Sequence, residues 1–307
     1  MKNYILPVVV IIILGFGIYY LANRSSNGDY GSFPTPSSVT DGDIKDRVST
    51  STDSTKEVPE GEIVVIGKSV EERDIKAYNF GGGEKRILFI GGIHGGYSWN
   101  TTLVANELVS YLKSSPNVIP KNVKVTVVPI LNPDGLSKVV SNVNSFKASD
   151  VNPSQKIQTE GRYNANKVDL SRNFDCDWQK TAKWRTTPVS GGSNVFSEPE
   201  SQAIKNYIET HDVGAVVVWY SSAGGVYASS CGGEILPATL SLTSIYSTAS
   251  GYPGHESFDF YETSGDLPNW LSKMNVPAVS VLLTDHKNTE WDKNKKGVDA
   301  LLQYFAK

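Results

Sequence analysis

Between residues 61 and 307, short aliphatic runs that are apolar on successive positions recur between stretches of helical spacing. Ile63–Ile66, Ile87–Ile93, Val123–Leu131, Ala215–Tyr220 and Ala278–Leu283 are such runs. A strand with one face in water alternates apolar and polar residues, whereas a strand buried on both faces is apolar throughout, as several of these are. Thr101–Leu112 carries apolar residues at helical spacing. Ser197-Glu198-Pro199-Glu200 opens a second helix: Ser197 is placed to cap it, Glu200 to complete a capping box, and Pro199 is tolerated in the first turn. Leu267–Met274 and Val298–Phe305 are two more helices. Alternation of this kind predicts an α/β domain, a sheet with helices on both faces. Ligands in such folds gather at the carboxyl ends of the strands, which predicts a site near His94, Tyr220 and Leu282.

The chain before residue 61 is different. Residues 4–22 carry no charge. As a helix they span about 28 Å, close to the thickness of a hydrocarbon core. They read as a retained single-pass anchor within residues 1–23, with a cleaved secretory signal as the alternative; the apolar stretch is long for a signal, and no small-residue cleavage site follows closely. Either places the rest of the chain outside the cytoplasm. Residues 24–60 are rich in Ser, Thr, Asp, Gly and Pro, with sparse apolar residues in no period, and read as a flexible tether. Residues 61–307 form one domain without internal repeats.

Charge narrows the partners. With 29 Lys+Arg against 32 Asp+Glu there is no basic surplus for a nucleic-acid surface. Two cysteines, Cys176 and Cys231, exclude a disulfide scaffold and a cysteine-rich zinc module. Outside the cytoplasm they are candidates for a disulfide, the alternative being two buried thiols.

Seven motifs then occur in order. Gly91–Thr101 (GGIHGGYSWNT) places His94 in a glycine-rich turn after a strand. Asn132–Gly135 (NPDG) follows, then Gly161–Trp178 (GRYNANKVDLSRNFDCDW), Phe196–Ile204 (FSEPESQAI), Trp219–Tyr227 (WYSSAGGVY), and finally Phe260–Trp270 (FYETSGDLPNW) with Pro277–His286 (PAVSVLLTDH). Together they resemble the zinc carboxypeptidases of the M14 family over most of residues 61–307. The resemblance implies a mixed eight-stranded sheet flanked by helices in a single domain. It also implies a zinc ion held by a His and a Glu of one turn and a His of a later strand, a Glu that activates the zinc-bound water, two arginines and a closing tyrosine.

Carried over residue by residue, this pattern is half present. His94 matches the first zinc ligand and Asp169 the carboxylate that orients it. The Glu ligand falls on Tyr97, or on Ser98 if the turn has one extra residue. Tyr220 stands at the second His, Leu282 at the catalytic Glu, and Ser171 at an Asn of the carboxylate site. Arg172 matches the arginine that grips a terminal carboxylate, Arg162 the one that polarises the scissile carbonyl, and Tyr261 the closing tyrosine. Zinc, expected from the family, thus loses two of its ligands and its general base.

Three functions follow. One is a non-hydrolysing, membrane-anchored relative that binds the free C-terminus of a peptide or cell-wall peptide. A second is an active carboxypeptidase with a metal site rebuilt from His94 with His255 or His286, although a catalytic zinc needs about three converging ligands. The third is an interaction module in which the Arg172 pocket binds nothing.

Overall fold

The computed structural model describes residues 61–307, so the proposed anchor and tether lie outside the described residues. Among the described residues no helix is long and apolar enough to cross a membrane. The described residues form ten strands: β1 (Glu62–Lys68), β2 (Asp74–Phe80), β3 (Lys85–Ile90), β4 (Val123–Val128), β5 (Thr181–Trp184), β6 (Thr187–Ser190), β7 (Val213–Ser221), β8 (Gly225–Ala228), β9 (Gly254–His255) and β10 (Ala278–Leu283). Eight of them form one mixed sheet in the order β1-β2-β4-β3-β7-β10-β8-β9, and β5-β6 is a separate hairpin. The helices are α1 (Trp99–Ser114), α2 (Pro133–Ser137), α3 (Gln155–Glu160), α4 (Pro199–Thr210), α5 (Pro237–Ser250), α6 (Leu267–Lys273) and α7 (Trp291–Phe305).

The central strands β4, β3, β7 and β10 run parallel. Their side chains divide by the period of two. Leu88, Ile90, Val216 and Val218 join one core layer, with Ile204 and Tyr207 of α4 and Trp270 and Leu271 of α6. Ile87, Phe89, Val217 and Trp219 join the other, with Leu108 of α1, Tyr246 of α5 and Leu301 of α7. Both faces are therefore dry, which is why these strands read as unbroken apolar runs. The chain crosses from β3 to β4 on one side and to β7 on the other. The carboxyl ends of β3 and β7 thus border the crevice where strand order reverses.

Several expectations are corrected. The run Ile87–Ile93 stops pairing at Ile90, because Gly92 turns the chain at φ +65°. The run Val123–Leu131 ends at Val128, where Pro129 has no N–H to continue the ladder. The capping box at Ser197 does not form. Glu198 is the N-cap without a side-chain cap bond, and Ser197 Oγ donates to Glu198 Oε1. Glu200 instead accepts from the Val70 backbone N–H at 3.3 Å and from Asn164 Nδ2 at 3.1 Å. Strand β2 escaped the sequence reading because only Ile75, Ala77 and Phe80 of it are buried.

Cys176 and Cys231 form a disulfide, with Cα atoms 5.8 Å apart. It closes a loop over a sequence separation of 55, which on the loop-entropy account contributes about 4 kcal/mol. The double variant Cys176→Ser/Cys231→Ser is expected to unfold at markedly lower urea than the oxidised protein. Coincident urea curves would show that the crosslink adds nothing.

Candidate functional site

The glycine-rich turn after β3 sets the first side chain. Gly95 has φ +42°, and a Cβ there would lie 2.7 Å from the Gly161 carbonyl oxygen and 2.8 Å from the Gly135 carbonyl carbon. Glycine at this position lets the His94 turn pack against the start of the Arg162 segment. A second turn, the 3-10 segment Leu170–Arg172, is capped by Asp169, whose side chain accepts from the Ser171 N–H. The two turns bring His94, Arg162, Asp169, Ser171 and Arg172 together beneath a pocket of about 240 Å³.

Ser171 is the hub. Its Oγ donates to Asp169 Oδ1 at 2.8 Å, lies 2.9 Å from His94 Nε2 and accepts from Arg172 Nη1 at 3.0 Å. Asp169 Oδ1 is 3.7 Å from His94 Nε2, while its Oδ2 accepts from Arg162 Nε at 2.8 Å. The ring is thus oriented chiefly through the serine. Burial works against a charge on Asp169, yet Arg162, then His94 and Arg172, hold its carboxyl well below the usual range. Burial first, and then the charge of Arg162, push the His94 pKa well below its ordinary value, so the ring is neutral at pH 7. Ser171 lacks the surroundings of a nucleophile: its proton is directed at a strongly acidic carboxylate, and its histidine neighbour is a weak base.

The two arginines differ. Arg162 is paired with Asp169 and lies over the Trp184 ring, 4.5 Å from its centroid. Arg172, only 2% exposed, donates to neutral acceptors alone: the carbonyl oxygens of Lys183 at 3.0 Å and Ser171 at 2.6 Å, and Ser171 Oγ. Among the described residues no carboxylate pairs with it.

At the other family positions, the geometry does not assemble a zinc site. His94 Nδ1 is buried without a partner, as is Ser98 Oγ. The Tyr97 ring packs 4.9 Å from Trp184 and 4.4 Å from His286. The Tyr220 ring is 5.3 Å from that of His94, and its hydroxyl donates to Asp266 Oδ1 at 3.0 Å. Leu282 is buried beside Tyr220, its partner across β10 and β7. His255 stacks on Tyr227, their ring centroids 4.7 Å apart. Among the described residues the one group of three or more His, Cys, Asp or Glu residues with ligating atoms close enough to share an ion is Cys176, Asp177 and Cys231. Both its sulfurs are already joined to each other. One neutral imidazole remains, where a catalytic zinc needs three protein ligands.

Tyr261 lines the pocket beside Phe258, their ring centroids 5.0 Å apart. Three contributors were not legible in the sequence. Trp184 comes from the β5–β6 hairpin and forms the shelf under Arg162. Asn269 and Asp266 line the pocket from α6 and its N-cap. Asp266 is the N-cap of α6 but makes no side-chain cap bond.

Burial raises the pKa of both Asp266 and Glu200 to about 6. A raised carboxyl favours the protonated native state. The stability it contributes is full below the unfolded carboxyl value near 4 and is lost as pH rises through 6. Side-chain carboxyl NMR titration is expected to show two midpoints near pH 6. Midpoints near 4 for both would refute the burial argument.

The sequence pattern of the peptidase M14 family, described as zinc carboxypeptidase, matches residues 53–235. The chain belongs to this family. The matched span holds His94, Arg162, Asp169, Arg172 and Tyr220, while Tyr261, Asp266 and Leu282 lie beyond it. The fold is similar to that of murein-tripeptide amidase MpaA from Escherichia coli O157, with 19% identity, TM-score 0.55, and 80% of this chain and 92% of that one covered. It is also similar to carboxypeptidase A from Helicoverpa armigera, with 17% identity, TM-score 0.61, and 80% and 68% covered. Bacteriocin BCN5 of Clostridium perfringens is 25% identical over 152 residues, 48% of this chain. The match spans only 15% of the bacteriocin's length.

Proposed function

We propose that this domain binds peptides by their free C-terminal carboxylate and does not hydrolyse them. The observation that carries this reading is Arg172, a buried guanidinium without an acidic partner on the wall of a pocket. Keeping such a charge out of water is costly unless a counter-charge arrives, and the planar fork of arginine suits a carboxylate. Loss of hydrolysis is supported by Tyr220 and Leu282, which supply neither a metal ligand nor a base. An adjoining cleft of about 410 Å³, walled by Trp184, Phe258, Phe260 and Tyr261, offers a path for the rest of the peptide.

A cell-wall peptide is the favoured ligand, because a structural relative is a murein-tripeptide amidase and because the uncharged residues 4–22 would hold the domain against a membrane, outside the cytoplasm. The test is calorimetry of the full-length chain with peptide pairs that differ only in a C-terminal acid or amide. The acids are expected to bind and the amides to bind far more weakly. Equal binding of the two would reject the reading.

A further inference from the structure

The amino ends of β3 and β4 carry basic groups of their own, at the opposite end of the strands from the Arg172 pocket. Arg86 is the second residue of β3 and Lys124 the second of β4, and the two are register partners across the parallel pair. Register partners share a face of the sheet, so two positive side chains stand next to each other and repel unless a counter-charge joins them. Among the described residues no carboxylate pairs with either. Both line a cavity of about 410 Å³, together with Tyr207 and His211. The guanidinium is fixed from one side. Arg86 Nη1 alone faces three neutral oxygens: Asn79 Oδ1 at 3.1 Å, Thr126 Oγ1 at 2.7 Å and the Tyr207 hydroxyl at 2.7 Å. Thr126 is fully buried, and Tyr207 is held by stacking on His211, their ring centroids 4.1 Å apart. Nε and Nη2 of Arg86 have no partner among the described residues. They are one edge of the planar fork that pairs with an oxyanion through two parallel bonds. A fork already anchored at its third nitrogen loses little freedom when such a ligand arrives.

We infer that this cavity is a phosphate site, separate from the Arg172 pocket, for inorganic phosphate or a phosphomonoester. The donor count favours phosphate over a carboxylate. A carboxylate has two oxygens, and the Arg86 fork uses both; a phosphate group has a third for the Lys124 ammonium. One carboxylate, Glu62, also lines the cavity; it is exposed and opposes an anion there.

The experiment is calorimetry of the full-length chain in phosphate-free buffer, titrated with inorganic phosphate, glycerol phosphate and acetate. Saturable phosphate binding, tighter than that of acetate, is expected. Lys124→Ala removes an ammonium that takes no part in the Arg86 network, and is expected to weaken phosphate binding about 10-fold or more, the range of a hydrogen bond between charged groups. Glu62→Gln removes the opposing charge and is expected to tighten it. Arg172→Ala is expected to leave it unchanged, because that guanidinium belongs to the other pocket. Glycerol phosphate binding as tightly as the free ion assigns the site to a monoester, and weaker binding assigns it to inorganic phosphate; both support the inference. Acetate binding as tightly as phosphate overturns it, as does phosphate binding that is lost in Arg172→Ala and kept in Lys124→Ala. Absence of saturable binding of either phosphate to the wild type overturns it without recourse to any variant.

Discussion

Replacing Arg172 with alanine is expected to weaken binding of C-terminal acids on the order of 10²- to 10³-fold while leaving the weak binding of amides unchanged. Truncating one partner of a buried, hydrogen-bonded charge pair costs about 2–5 kcal/mol, much of it from the charge left behind. The guanidinium also donates to the Lys183 and Ser171 carbonyl oxygens, so alanine removes structure as well as charge. Arg172→Lys separates the two. It keeps the positive charge but not the planar fork, and is expected to bind acids with intermediate affinity. A lysine variant equal to wild type would mean that charge alone suffices. An alanine variant that folds and binds acids as wild type does would remove Arg172 from the site.

The second large effect concerns zinc. The wild-type chain is expected to retain far less than one zinc per molecule after dialysis against a zinc buffer, and its melting temperature is expected not to move with zinc or chelator. The reason is the ligand count: His94 offers one free ring nitrogen, Nδ1, and a lone imidazole binds zinc only weakly. Ser98→Glu with Tyr220→His would supply a His, Glu and His set around the same turn. Ser98 is the better choice over Tyr97, because its Oγ is buried without a partner, like His94 Nδ1, whereas the Tyr97 ring is committed to Trp184 and His286. If the rebuilt site binds zinc at a hundredth of the zinc concentration used, it gains about 2.7 kcal/mol, which raises the melting temperature by about 5–10 °C. Near-stoichiometric zinc in the wild type would overturn the ligand assignment. A double variant without zinc would show that the turn does not present residue 98 to the metal position.

How much of this was legible beforehand depended on what each residue touches. Strands β3, β7 and β10 were recognisable because both of their faces are dry, so nearly every residue had to be apolar. The helix over Thr101–Leu112 was recognisable because one stripe of it meets the sheet; it runs further, from Trp99 to Ser114. His211 is the C-cap of α4, and its Nδ1 lies 2.8 Å from the Tyr207 carbonyl oxygen. Strand β2 was hidden by its half-wet register, and β8 by its four residues with a glycine. The capping box failed although all its residues were present. Val70 and Asn164, far away in sequence, supply the donors that Glu200 accepts from.

The sequence by itself determined the α/β layering and the family, because these are properties of residue type and order. A Tyr at position 220 and a Leu at 282 cannot ligate or deprotonate as a His and a Glu do, whatever surrounds them. Tertiary structure decided which charges are paired. Arg162 and Arg172 are the same residue type ten positions apart, yet one meets Asp169 over the Trp184 shelf and the other meets neutral oxygens. Asp266, the N-cap of α6, is also a carboxylate on the pocket wall, with Tyr220 as its partner. Pairing depends on the close approach of groups far apart along the chain, at distances of 3 to 4 Å where charge and burial act most strongly. Local sequence carries no record of those distances, and they set whether a buried charge is satisfied within the protein or held open for a ligand.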